Sequence, residues 1–95
     1  MTSQENFKGA FVAKDHIADL METAEYKVFD KVFDKLTIVV AKLKNGFTII
    51  GSSGCVNQEN YNREIGIEIC KEQIKNELWK LEGYLLQDKM NNRGE

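Results

Sequence analysis

Asn45-Gly46, set between two runs rich in β-branched residues, constrains this chain more than any other pair of neighbours in it. A two-residue type I′ turn needs positive φ at both central positions, which asparagine and glycine adopt most readily. The flanking runs, Leu36-Thr37-Ile38-Val39-Val40-Ala41 and Phe47-Thr48-Ile49-Ile50, are strand-sized, so residues 36–51 read as an antiparallel β-hairpin. Such a turn would set Lys44 opposite Phe47, Lys42 opposite Ile49 and Val40 opposite Gly51, with Ile38 on the same face. Leu43, Ala41, Val39, Thr48 and Ile50 would then share the other face. Neither face is purely polar, which predicts cover on both sides, by the helices and by a second copy of the chain.

Helical patterns flank the hairpin. Asp15 reads as the cap of a helix over 14–29, with Ile17, Leu20, Met21, Ala24 and Val28 on one face. Residues 1–13 before it read as a flexible arm. Lys27-Val28-Phe29-Asp30 is followed at once by Lys31-Val32-Phe33-Asp34, a tandem duplication that reads as a local insertion lengthening the approach to the hairpin. After the hairpin, Asn57 reads as the N-cap of a long amphipathic helix over 57–83. Tyr61, Ile65 and Ile69 form one apolar row, and Cys70, Ile74, Leu78, Leu81 and Leu85 a second. Gly66 inside that helix costs roughly 1 kcal/mol relative to alanine, which calls for close approach of another backbone, either the hairpin or a partner helix. Gly83 suits a helix C′ position, and residues 90–95 read as a disordered tail. The expected fold class is α+β: an N-terminal helix, a two-stranded antiparallel hairpin and a long C-terminal helix.

Composition narrows the function. A chain of 95 residues forms one small domain, with a core that supplies about 5 kcal/mol or less of net stability, so self-association is expected. Thirteen basic and 15 acidic side chains leave a net charge of −2, the wrong sign for general nucleic-acid binding, although Lys27, Lys31, Lys35, Lys42 and Lys44 gather around the hairpin. No apolar run approaches the ~20 residues of a membrane span. The absence of a signal peptide predicts reduced thiols and a cytoplasmic setting. Cys55, Cys70 and His16 supply at most three zinc ligands, so no metal or cofactor is expected. A Cys55 nucleophile would need a base, and the single histidine lies on the other helix, so the chain reads as a non-enzyme.

The segment Gly51-Ser52-Ser53-Gly54-Cys55 reads as an exposed polar loop joining a strand to a helix. Ser52, Ser53, Gly54 and Cys55 would present hydroxyls and backbone N–H groups ahead of a helix N-terminus, an arrangement that favours anions. Arg63 or a lysine would balance charge, and Tyr61 or another aromatic (Phe47, Trp79 or Tyr84) would stack on a base. The segment lacks the Walker ending and the dinucleotide-binding glycine pattern. A plain tight turn, with the aromatics in the core, accounts for the same residues.

Three separated motifs then stand in order: Leu43-x-Asn45-Gly46-Phe47-Thr48-x-x-Gly51-x-Ser53-Gly54-Cys55-Val56, Asn60-Tyr61-Asn62-x-Glu64-Ile65-Gly66, and Leu78-Trp79-x-Leu81-Glu82-Gly83-Tyr84-Leu85-Leu86. With Glu25-Tyr26-x-Val28-Phe29-Asp30 before them, they resemble the Gp49-like family of small tailed-phage and prophage proteins, from about Tyr26 to Leu86. Gly54 stands where that family usually has alanine, Tyr61 where it usually has phenylalanine, and the Lys-Val-Phe-Asp duplication is private to this chain. The resemblance implies a phage origin and action in the cytoplasm of an infected bacterium, and it brings no established enzyme activity. Small phage proteins commonly interfere with the host, and several unrelated families are oligomeric sponges for nucleotide immune signals. By that analogy the chain is expected to be a homo-oligomeric counter-defence protein that sequesters a cyclic nucleotide or related small anion. A protein–protein inhibitor or adaptor acting on a host or phage protein is the alternative.

Overall fold

In the computed structural model, which describes residues 12–92, the chain runs α1 (Lys14–Thr23), β1 (Glu25–Val32), β2 (Leu36–Lys42), β3 (Thr48–Gly54), a 3-10 turn (Gln58–Asn60) and α2 (Arg63–Asn92). The α+β class stands, with one correction. The sheet has three antiparallel strands in the order β1-β2-β3, where the hairpin alone was expected. Of the arm expected over 1–13, residues 1–11 lie outside the described residues; of the tail expected to be disordered over 90–95, residues 90–92 are instead the end of α2 and 93–95 lie outside the described residues.

The third strand comes from what reads as the end of the first helix. α1 stops at Thr23, whose hydroxyl turns back to donate to the Asp19 carbonyl at 2.9 Å, and Ala24 is already extended. The Tyr26 hydroxyl donates to the Met21 carbonyl at 2.6 Å, satisfying an acceptor that the helix end leaves free. From Glu25 onward exposure alternates residue by residue, with Tyr26, Val28, Asp30 and Val32 turned inward. Ala13, not Asp15, is the N-cap of α1, and Asp15 sits in the first turn. Ile17 is nevertheless fully buried, and Leu20 and Met21 pack beside it as expected.

β1 pairs with β2 from Glu25↔Lys42 to Phe29↔Ile38, then shifts by one at Val32↔Leu36. The shift is a bulge at Asp30-Lys31, where Lys31 has φ +57°. Phe33 and Asp34 also have positive φ, and the Lys35 N–H donates to the Val32 carbonyl at 3.2 Å, closing the turn into β2. The first copy of Lys-Val-Phe-Asp is thus strand, and the second is strand end and turn.

The hairpin is present, but its turn is one residue longer than Asn45-Gly46 alone. Leu43 and Phe47 pair, and the Gly46 N–H donates to the Leu43 carbonyl at 2.8 Å, so Lys44-Asn45-Gly46 forms a three-residue loop with Gly46 at φ +95°. Lys42 therefore pairs with Thr48, Ala41 with Ile49 and Val39 with Gly51. The shift moves β3 to the opposite face from the one expected, because side chains alternate with a period of two. Ile49 and Gly51 join Val39, Ala41 and Leu43 against α2, while Ile50 points out and is 66% exposed. Phe29, Ile38, Val40 and Ile50 form the outward face, which neither helix covers.

α2 begins at Arg63, later than expected. Asn57 caps the 3-10 turn, accepting from the Glu59 N–H at 2.9 Å, whereas Asn62 caps α2, accepting from the Ile65 N–H at 3.0 Å. The helix also runs past Gly83 to Asn92, so Gly83 is an interior residue and the expected C′ stop is not used. Beyond Gly83, Leu85, Leu86 and Lys89 line a groove with Val12 and His16, and His16 Nε2 lies 3.1 Å from Glu82 one residue before it.

Cys70, Ile74 and Leu78 of α2 enter the core with Ile17, Val39, Ala41, Leu43 and Ile49. Two glycines let the helix come this close. A Cβ at Gly51 would lie 2.5 Å from the Cys70 carbonyl oxygen, and one at Gly66 would lie 2.7 Å from Thr37 Oγ1. The approach expected of Gly66 is thus to a hairpin side chain, and the backbone-to-backbone contact belongs to Gly51.

Two measurements test this packing. Gly51→Ala, which meets backbone, should destabilise by about 2–3 kcal/mol, and Gly66→Ala by about 1–2 kcal/mol, in urea unfolding. Gly83→Ala, which meets open space, should stabilise by about 1 kcal/mol. Burial raises the pKa of the Cys70 thiol, partly opposed by the Val39 backbone, and burial raises that of the Tyr26 hydroxyl. Both groups ionise more readily when unfolded, so the Cys70 share of stability is complete below about pH 8.5 and the Tyr26 share below about pH 10, each being lost as pH rises from there through its raised folded value. The urea midpoint should fall between neutral and alkaline pH, and an unchanged midpoint would contradict the assignment.

Candidate ligand-binding cleft

Thr37 is the only fully buried polar side chain among the described residues, inside the otherwise apolar run of β2. Its hydroxyl shares a 2.8 Å hydrogen bond with the Tyr61 hydroxyl, which also accepts from the Lys31 N–H at 3.1 Å. Tyr61 therefore ties the segment before α2 to both β1 and β2 and holds its ring at a fixed place. Without this bond Thr37 would be left as an unsatisfied buried hydroxyl under Gly66.

A cleft of about 220 Å³ opens beside this tie, between the end of β3 and the start of α2. Ser53, Gly54, Cys55 and Tyr61 line it, with Lys35, Asn60 and Asn62 at its polar side and Ile65 and Ile69 at its apolar side. Four of the six expected ligand residues thus converge. The other two do not. Ser52 is held at the sheet edge, where the Gln73 amide donates to its carbonyl at 2.8 Å and Gln73 Oε1 accepts from its N–H at 2.9 Å. Arg63 donates to Asp30 Oδ2 at 3.0 Å, so its charge is matched by a carboxylate and it pins α2 to β1.

The expected polar loop is also displaced. Gly51 to Gly54 belong to β3, and the loop starts at Cys55. The Cys55 N–H donates to the Lys35 carbonyl at 3.1 Å, which continues the β2–β3 ladder one step past the strand. Its thiol lies 3.7 Å from the same carbonyl. His16 stands at the far end of α2 against Glu82, so the geometry does not bring it to Cys55.

Chemically, the cleft offers a hydroxyl, two side-chain amides and one ammonium above an apolar floor. That set suits a flat or apolar group with polar edges and a nearby negative charge. Lys35, Asn60 and Asn62 are missing from the residues expected from sequence. Asn60 and Asn62 flank Tyr61 and could have been found from that spacing, whereas Lys35 reaches the site only through the β1–β2 turn. Tyr61→Phe should keep the ring but strand the Thr37 hydroxyl and the Lys31 N–H. A loss of about 1–3 kcal/mol in chemical unfolding is expected, and a neutral effect would show the tie to be unimportant.

No helix among the described residues is long and apolar enough to cross a membrane. Neither a curated protein nor a solved structure matches the chain. A family model does match, over residues 12–90, a span that holds every described element up to the last turn of α2. The chain belongs to the family described as phage protein (N4 Gp49/phage Sf6 gene 66).

Proposed function

We propose that this phage protein works by binding rather than by turnover, and that it sequesters a small nucleotide-class anion in the β3–α2 cleft. The supporting observation is the convergence of Ser53, Gly54, Cys55 and Tyr61 with Lys35, Asn60 and Asn62 around one opening. Asn60 supplies a side-chain amide that can read a base edge, Asn62 only its NH2 group because its oxygen caps α2, Ser53 a hydroxyl, and Lys35 the balancing charge. Arg63, spent on Asp30, takes an anchoring role instead.

Size refines the reading. The cleft, at about 220 Å³, falls below the ~300–1,000 Å³ of a typical ligand pocket, so it takes one end of a dinucleotide-sized molecule rather than all of it. Membership in a phage family supports a reading in which the protein acts in the infected cell, where a counter-defence role, capturing a cyclic nucleotide immune signal in the host cytoplasm, fits a binder of this size. A second reading, an inhibitor or adaptor that docks on a host or phage protein, draws support from the uncovered outward face of Phe29, Ile38, Val40 and Ile50.

A thermal-shift panel of cyclic di- and trinucleotides and ADP-ribose derivatives separates the two. One ligand should raise the melting temperature by several degrees and return chemically intact after denaturation, as read by mass spectrometry. Lys35→Glu should weaken that ligand by about tenfold, or about 1.4 kcal/mol. No shift across the panel overturns the proposal. Loss of a host-protein pull-down on Phe29→Lys would favour the second reading.

A further inference from the structure

The two edges of the sheet are built differently. Along β1, Glu25, Lys27, Asp30 and Lys31 supply charge, and the bulge at Asp30-Lys31 interrupts the ladder. Charges and bulges are the devices that keep a sheet edge from recruiting another strand. β3, read as Thr48-Ile49-Ile50-Gly51-Ser52-Ser53-Gly54, carries no charged residue, and the chain has no proline at all.

The free part of this edge has definite ends. In an antiparallel ladder alternate residues turn both backbone groups toward the same neighbour. Because Leu43 and Phe47 bond directly, Ile49 and Gly51 face β2, while Thr48, Ile50 and Ser52 face outward. Gln73 fills both outward groups of Ser52. At the other end, Gly46 at φ +95° turns the chain into the loop. Between those limits only Thr48 and Ile50 offer an open N–H and C=O.

We infer that β3 pairs antiparallel with β3 of a second copy, about a two-fold axis at Ile49, joining two three-stranded sheets into one. In this register Thr48 exchanges both hydrogen bonds with the partner's Ile50, and Ile50 does the same with the partner's Thr48. The pairing uses the groups left open and leaves each Gln73 clamp in place. Helix placement points to a second copy rather than a foreign strand. α2 packs across β2 and β3. A two-fold axis normal to the sheet sets both copies of α2 on the same face, one on either side of the seam, so each can cover the other's flank. The groove of about 410 Å³ between the β3 edge and α2, lined by Phe47, Ile50, Glu77 and Leu81, lies along this seam. A lone peptide strand would leave the α2 side of that groove open. The inference concerns an edge distinct from the cleft and does not rest on the ligand reading.

Sedimentation of the full chain at micromolar to submillimolar concentrations tests it. The chain should be a dimer. Ile50→Lys, which places like charges near the axis, and Ile50→Pro, which removes an N–H that β2 does not use, should each weaken the dimer at least about tenfold with unchanged far-UV circular dichroism. Paired substitutions Thr48→Cys and Ile50→Cys in a Cys55→Ser background should oxidise to a covalent dimer, since hydrogen-bonded partners ~5.5 Å apart at Cα are within disulfide reach. Mass spectrometry should find position 48 of one copy joined to position 50 of the other. Where Ile50→Pro fails to fold, Ile50→Lys and the cross-link decide. A monomer throughout overturns the inference and leaves the edge to a strand from another protein. A dimer indifferent to Ile50→Lys and without the 48–50 cross-link overturns it in favour of another surface.

Discussion

The close seating of α2 on the sheet governs this structure. Gly51 and Gly66 remove the two Cβ atoms that would hold helix and sheet apart, at the Cys70 carbonyl and at the Thr37 side chain. With those gaps closed, Cys70, Ile74 and Leu78 reach the inner face of β2 and β3 and complete a core of eight buried apolar residues among those described. The six isoleucine, leucine and valine side chains among them each contribute about 1.5–3 kcal/mol on full burial, so a displacement of the helix by even one methyl group would be costly for so small a core.

The same contact explains the polar tie. Bringing Gly66 onto Thr37 buries the Thr37 hydroxyl completely, and a buried hydroxyl needs a partner. Tyr61 provides it, and through the Lys31 N–H it reaches β1 as well. The segment before α2 is thereby fixed to β1 at Lys31 and to β2 at Thr37, and the cleft follows as the space left between this segment and the end of β3. Fold and candidate site are therefore one packing problem. The residues that hold the helix down also define the walls of the opening.

Ionic contacts play a smaller part. Arg63–Asp30 and Lys42–Glu25 are both solvent-accessible pairs, the kind that contribute about 0–1 kcal/mol. Their effect is positional: Arg63 orients the first turn of α2, and in doing so it leaves Lys35 as the cation at the cleft. Gln73 acts similarly at the edge of β3, where it mimics one residue of a neighbouring strand and limits how much of that edge stays open.

Local chemistry alone determined the β2–β3 hairpin, the buried Cys70-Ile74-Leu78 row of α2 and the need for a close neighbour at Gly66, because each rests on periodicity or on a residue's own conformational range; the other expected row does not hold, since Tyr61 precedes α2 and Ile65 and Ile69 stay exposed. Gathering Ser53, Gly54, Cys55 and Tyr61 was legible for the same reason, since they flank one strand-to-helix junction. Tertiary structure decided the rest. One extra loop residue at Lys44 reversed the faces of β3, a choice that depends on which side α2 covers. Tyr26 to Val32 became a strand because β2 offered an edge to pair with, although the preceding residues carry a helical spacing. The duplicated Lys-Val-Phe-Asp is the plainest case: the first copy lies in β1 and the second bends through positive φ at Lys31, Phe33 and Asp34. Identical local preferences gave two conformations, because pairing partners exist for the first copy and the chain must reverse within the second.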